Sequence, residues 1–377
     1  MGATQGAKRM TSSRPLEFGF VATASGGAGT SDRQMYRDLM GDVEIGLGLG
    51  YRTVWMIEHH FSDYFPTPDP LAFLSHIAGR FPEAGLGTCV LIAPWYNALR
   101  LAGSIAQLRL LTDAPIHLGF GRGTAKYEYD RFGIDMEEAR VRFIETLRIV
   151  RDGLTKDSFT FDGQILSVPK ETRLRPKAPL DGLHFYGAIG ASPESAQVMA
   201  DEGLPPICTT IGNLDAQAAT LVEWAKRAKS HGFETNVPMP IMINCVIEDS
   251  DAEAVRQAQT HIPPFMKAQV DHYEADADHY KDIAGYKAWS NAFAGMKKRC
   301  DPVNIPPWCE WQLVGTPDTA ARKLQSYIDA GFNMFLIHTA TPGVPTGPRR
   351  RWLKRFAEEV MPRFTGAPAA FHATAAE

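Results

Sequence analysis

Residues 53–61 read Thr-Val-Trp-Met-Ile-Glu-His-His-Phe, a short β-like apolar run that stops abruptly at Glu58, His59 and His60. With that run placed at 53–57, comparable ones lie at 16–21, 85–91, 116–120, 184–189, 206–209, 239–246 and 334–338. Between most of them, apolar residues recur three and four apart, at 31–49, 70–80, 97–111, 136–151, 193–202, 215–231 and 317–330. That spacing is the signature of amphipathic helices. Eight strand–helix units predict an α/β protein, a (β/α)8 TIM barrel carried by one domain over residues 15–364. The alternation alone also admits an open, doubly wound sheet.

Two stretches interrupt the alternation. Residues 159–168 alternate apolar and polar around Asp162-Gly163, which predicts a small hairpin before the fifth strand. Residues 249–311 form a long, mostly helical insertion before the eighth unit, with a Pro-rich break at 304–308. Insertions of this kind commonly cover an active site. The segments 1–14 and 365–377 are expected to be disordered.

Composition narrows the class. Of 377 residues, 44% are hydrophobic, enough for a large core, and 39 basic against 43 acidic side chains leave a net charge of −4. Neither whole-chain disorder nor a nucleic-acid binder fits that balance. No apolar run reaches the roughly 18 to 20 residues that span a bilayer, so no membrane partner is expected. Basic residues near the N-terminus have no apolar stretch behind them, which speaks against a secretory leader. Five scattered cysteines form no C-x-x-C pair, so a reduced, cytoplasmic protein is expected.

In a barrel the chemistry sits at the C-terminal ends of the strands. Glu58, His59 and His60 fall at such an end, and imidazoles titrate near neutrality and exchange protons with a reacting oxygen. The same residues also suit a strand cap and a carbonyl-bound His. No third ligand stands at metal-site spacing, so no metal is expected. The fourth strand runs into Gly119-Phe120-Gly121-Arg122-Gly123. Glycines there let backbone approach a ligand, and the Arg fork suits phosphate or carboxylate; an ordinary turn reads alike. The fifth strand ends at Gly190-Ala191-Ser192-Pro193-Glu194-Ser195. Ser192 as N-cap and Pro193 at the first helical position predict a helix start whose N–H groups and hydroxyls suit phosphate, or a plain cap.

With these residues in place, the chain resembles the bacterial luciferase family of flavin-dependent monooxygenases, and within it the luciferase α subunit. The likeness runs through TVWMIEHHF (53–61), LGTCVLIAP (86–94), GFGRG (119–123), RFGIDMEEAR (131–140), ADEGLP (200–205), VGTPDTA (314–320) and EEVMPRF (358–364). It implies a barrel that binds FMN, as FMNH2 from a separate flavin reductase, and uses O2 through a C4a-peroxyflavin to oxygenate a small organic substrate. By motif, His59 matches the catalytic histidine, with His60 and Glu58 beside it. Arg122, Arg140, Ser192 and Ser195 match phosphate-binding positions, Ala191 having lost an acidic contact. Cys89–Val90 matches a cis peptide under the flavin ring. Gly121 stands where the family carries a reactive cysteine, which excludes thiol chemistry at that point. Trp95, Tyr96, Phe61, Phe65, Trp308 and Trp311 suit a hydrophobic substrate pocket or ordinary core packing. A homodimer is expected. Two other functions remain open: a deazaflavin- or flavin-dependent dehydrogenase on the same barrel, and a non-catalytic flavin-binding protein.

Overall fold

The computed structural model describes residues 10, 14–26, 29–189, 193–210, 213–276, 280, 283, 286 and 289–365. The expected disorder of 1–14 and 365–377 falls almost wholly outside them. The strands are β1 (Glu17–Ala22), β2 (Thr53–Met56), β3 (Gly85–Ile92), β4 (Ile116–Gly121), β5 (Phe159–Asp162), β6 (Ser167–Thr172), β7 (Leu183–Ala188), β8 (Pro206–Thr209), β9 (Pro240–Ile247), β10 (Leu313–Gly315) and β11 (Met334–His338). The helices are α1 (Asp32–Gly48), α2 (Pro70–Arg80), α3 (Ala98–Leu111), α4 (Lys126–Phe132), α5 (Ala139–Thr155), α6 (Pro193–Asp201) and α7 (Leu214–Ser230). They continue as α8 (Asp251–His272), α9 (Trp289–Arg299), α10 (Pro306–Cys309), α11 (Pro317–Asp329), α12 (Thr346–Arg355) and α13 (Pro362–Thr365).

Strand order β9-β11-β1-β2-β3-β4-β7-β8, closed by β8 on β9, makes the eight-stranded parallel barrel. The open doubly wound sheet is thereby excluded. The hairpin is β5–β6, antiparallel and outside the barrel, and its second strand runs on to Thr172. The three-residue β10, not foreseen, adds to the far side of β9.

Helix starts follow the local chemistry. Ser31, Asp69, Asn97, Ser250 and Thr316 each accept the backbone N–H three residues ahead. Pro70 and Pro317 occupy the first helical position, where a missing N–H costs nothing. Ser192, expected as the cap of α6, lies outside the described residues.

Along the strands, side chains alternate between the helix layer and the barrel interior. Phe18, Phe20, Val54, Met56, Leu118, Ile243 and Phe335 pack with the helices. Val21, Trp55, Tyr186, Ile207, Val246 and Leu336 belong to the other cluster. Trp55 is fully buried, and a Cβ at Gly19 or Gly87 on the flanking strands would come within 2.6 or 2.4 Å of its ring. Those two glycines are what admit a tryptophan there. His117 stacks on His184 at 4.9 Å and its Nδ1 pairs with the Tyr186 hydroxyl at 2.9 Å. Burial pushes His117 down to about 3, so this plug stays uncharged. With the interior filled by rings, a ligand has room only beyond the strand ends.

Candidate active site

β2 ends at Met56 and the chain turns over the barrel mouth, where His59 bridges back to Thr67. Phe61 and Phe65 in this turn adopt positive φ of 60° and 51°, costly for bulky residues and characteristic of functional loops. Glu58 is buried. One of its oxygens accepts the Ile92 N–H at 3.0 Å and the Tyr96 hydroxyl at 2.8 Å; the other pairs with His60 Nε2 at 3.0 Å. Burial raises the Glu58 carboxyl, while His60 and these donors pull it back. With both oxygens occupied, Glu58 fixes the His60 ring and the end of β3. The edges of Trp95 and Phe132 close around His60, at 5.4 and 4.9 Å.

His59 faces another carboxylate. Its Nδ1 lies 3.8 Å from Glu128 Oε1, on the first turn of α4, and His272 at the end of α8 places Nε2 3.4 Å from Glu128 Oε2. The Glu128 oxygen nearer His59 also accepts the His60 N–H at 2.6 Å. Tyr64 packs against both imidazoles, 4.6 Å from His59 and 5.0 Å from His272. Burial pushes His59 down to about 4, so it is neutral at ordinary pH. Burial works against the Glu128 charge too, but the two imidazoles outweigh it and hold the carboxyl at about 2. A neutral imidazole beside a fixed carboxylate is a competent proton acceptor.

The Cys89–Val90 peptide is cis, as expected, and the β3–β4 register shifts between Thr88 and Leu91. This bulge drives Val90 against β4. A Cβ on Gly119 would meet Thr88 O at 2.5 Å and Val90 Cγ1 at 2.9 Å, and one on Gly121 would meet Val90 Cγ2 at 2.6 Å. Gly121 is therefore a steric partner of the bulge. Burial pushes the Cys89 thiol well above its usual range, so it stays protonated.

Beyond β4, the Arg122 guanidinium lies 4.9 Å over the Tyr286 ring. Arg140 lies near enough to feel it: burial lowers Arg140, Arg122 adds to this, and Glu194 on α6 opposes it. Ser195, in the first turn of α6, is buried. Two arginines and a helix start thus lie within electrostatic reach of one another, residue types that suit an anion. Ser192 lies outside the described residues. The insertion contributes here: the Tyr286 hydroxyl donates to Gly123 O at 2.9 Å and the Tyr280 hydroxyl to Thr124 O at 2.7 Å.

Sequence reasoning missed Glu128 of α4, His272 at the end of α8, and the tyrosines, Tyr64 of the β2–α2 loop and Tyr280 and Tyr286 between α8 and α9. Glu128 left one trace, an acid one turn beyond the GFGRG motif. Among the aromatics expected around a pocket, Phe65 and Trp308 are buried, while Phe61 is half exposed. Trp311, at the end of the insertion, is partly exposed, and its carbonyl accepts the Tyr327 hydroxyl of α11 at 2.6 Å. A cavity of about 520 Å3, bordered by Arg151, Leu183, His184, Pro205 and Phe233, lies at the opposite end of the barrel from these groups.

A closed parallel barrel with its polar groups gathered over the strand ends defines the class, a (β/α)8 enzyme. The family model described as luciferase-like monooxygenase matches residues 16–334, and the chain belongs to that family, an oxidoreductase family working with flavin-type cofactors. It is 33% identical over 155 residues to an uncharacterised protein of Sinorhizobium fredii, a match spanning 41% of this chain and 44% of that protein. It is 24% identical over 326 residues to an F420-dependent glucose-6-phosphate dehydrogenase of Amycolatopsis mediterranei, 84% of this chain and 90% of the relative. Among solved structures it resembles the oxygenating constituent of 3,6-diketocamphane monooxygenase from Pseudomonas putida in complex with FMN. That match has a TM-score of 0.68 at 19% identity, covering 93% of this chain and 99% of the other. No helix among the described residues is long and apolar enough to cross a membrane.

Proposed function

We propose that the protein is a flavin monooxygenase that takes FMNH2 from a separate reductase and uses O2 to oxygenate a small hydrophobic organic molecule. What supports this is the placing of Arg122 just beyond the C-terminal end of β4, within electrostatic reach of Arg140 and of Glu194 at the start of α6, with His59 beyond the C-terminal end of β2 on the same face of the barrel. Bound there, reduced flavin supplies the electrons that activate O2. The arginines, Ser192 and Ser195 hold the phosphate. The Cys89–Val90 bulge, seated against Gly119 and Gly121, supports the ring. His59, kept neutral by burial, takes or returns a proton at its imidazole. Glu58 keeps His60 in place, and the insertion, stitched to the β4–α4 loop by Tyr280 and Tyr286, excludes water.

The similarity to an F420-dependent dehydrogenase over most of the chain favours a second reading, hydride transfer with a deazaflavin. Anaerobic titration with FMNH2 and with reduced F420 separates the two. The proposal expects tight binding of FMNH2 and, on admission of labelled O2 with hydrophobic test substrates, one labelled oxygen atom in product. Preference for F420, with an alcohol or sugar phosphate oxidised in the absence of O2, overturns it.

A further inference from the structure

His59, Glu128 and His272 come from the β2–α2 loop, α4 and α8, and their ligand atoms lie within 4.8 Å of one another. They converge without bonding: neither His59 Nδ1 nor His272 Nε2 has a hydrogen-bond partner, although both are buried. An orphaned buried polar atom costs about 1–3 kcal/mol, and two around one carboxylate point to a missing shared partner. The spacing says what kind. Four ligands at 2.0–2.2 Å around a tetrahedral ion stand about 3.4 Å apart. His272 Nε2 lies 3.4 Å from Glu128 Oε2 and His59 Nδ1 3.8 Å from Oε1, too long for good hydrogen bonds but near enough that small side-chain shifts bring both nitrogens and one carboxylate oxygen onto a shared ion.

We propose that His59 Nδ1, Glu128 and His272 Nε2 form a site for a divalent transition-metal ion of the zinc class. Two imidazoles and one carboxylate are the donors that such ions select, and calcium or magnesium would demand more oxygens. The outer contacts agree. Ser62 Oγ sits 2.7 Å from His272 Nδ1 and fixes that ring with Nε2 turned to the site. The His60 N–H holds the carboxylate at 2.6 Å. Glu128 and His272 are sealed from solvent, whereas the His59 side chain keeps 12% exposure, so the fourth position opens on its side. The ion would join α8 of the insertion to the barrel mouth. It engages only Nδ1 of His59, and the inference does not depend on which flavin the protein uses.

The test uses the full chain, stripped of metal and without flavin. Calorimetric titration with Zn2+ and visible spectra with Co2+ should show one equivalent bound, with the ligand-field bands of a low-coordinate ion. His272→Ala and Glu128→Gln should abolish it, and Ser62→Ala should weaken it about 10- to 100-fold, the usual effect of losing an outer partner. His76→Ala, on the exposed face of α2, should leave it unchanged. Circular dichroism and thermal melts report whether each variant folds. For any that does not, an anomalous map of the Zn2+-soaked parent decides, with a peak expected between the three side chains. No binding, binding that survives His272→Ala, or no such peak overturns the site and assigns the gap to water. Because no flavin is present, these outcomes are separate from those for FMNH2.

Discussion

Replacing Gly121 by Ala should strain the barrel mouth through one contact. The added Cβ would lie 2.6 Å from Val90 Cγ2, while the next atoms, on Ala188 and Ile92, are ordinary neighbours at 3.7 Å. Carbon atoms prefer about 3.5–4.0 Å, so roughly 1 Å of overlap must be relieved. Val90 is β-branched and stiff about χ1, and its other methyl, Cγ1, already faces Gly119, 2.9 Å from where a Cβ there would stand, so it has little room to retreat. Overpacking of this kind costs about 1–3 kcal/mol. In a Val90→Ala background the overlap vanishes, and the same change should cost nearly nothing or stabilise by about 0.5 kcal/mol, since Gly in a strand carries excess chain entropy. Urea unfolding of the four-member cycle should therefore yield a coupling of about 1–3 kcal/mol. A penalty for Gly121→Ala that is the same with and without Val90 refutes the reasoning. Gly121→Cys, restoring the family's thiol, should behave like Ala with the same dependence on Val90.

Arg122→Ala should weaken FMNH2 binding about 10- to 100-fold, from the 1.5–3 kcal/mol of a charged hydrogen bond, and leave riboflavin binding nearly unchanged; equal losses would place Arg122 away from the phosphate. His59, held near 4 against 6.5 when unfolded, binds fewer protons folded than unfolded between those values. Its contribution is therefore fully present above about pH 6.5 and is lost as pH falls towards 4, by roughly 3 kcal/mol at most. His59→Gln should flatten the stability profile across that window, and an unaltered slope would contradict the burial argument. The Glu145 carboxylate accepts the backbone N–H groups of Gln164, Ile165 and Leu166 in the hairpin turn. Glu145→Ala should cost about 2 kcal/mol in urea unfolding while leaving FMNH2 affinity intact, since the hairpin stands outside the barrel; a parallel loss of flavin binding would show it reaches the site.

The barrel was legible because its eight strands are compact apolar runs and most helices open with a capping side chain or a proline. β10 escaped notice because three residues carry no period, and its strand character comes only from pairing with β9. Within the site, legibility follows chain locality. Glu58, His59 and His60 announce themselves at one strand end, and the resemblance located the Cys89–Val90 cis bond. That Glu58 is tied to Tyr96 and Ile92, and that His59 looks at Glu128 rather than at its neighbour, are facts of tertiary contact. His272 stood in a run of Asp, His and Tyr residues, none of which has a periodic or motif reason to be singled out.

Pro263 and Pro264 lie inside α8, where neither can donate to the helical ladder. The helix continues eight residues past them to His272, an arm of about 12 Å at 1.5 Å per residue. At that radius a tilt of about 5° displaces the imidazole by about 1 Å, enough to break its 3.4 Å approach to Glu128. The proline pair thus acts as a fulcrum with large mechanical advantage. Substitutions far from the barrel mouth, on the face where the first half of α8 rests, can detune the site by angle alone, with every group at the mouth still present.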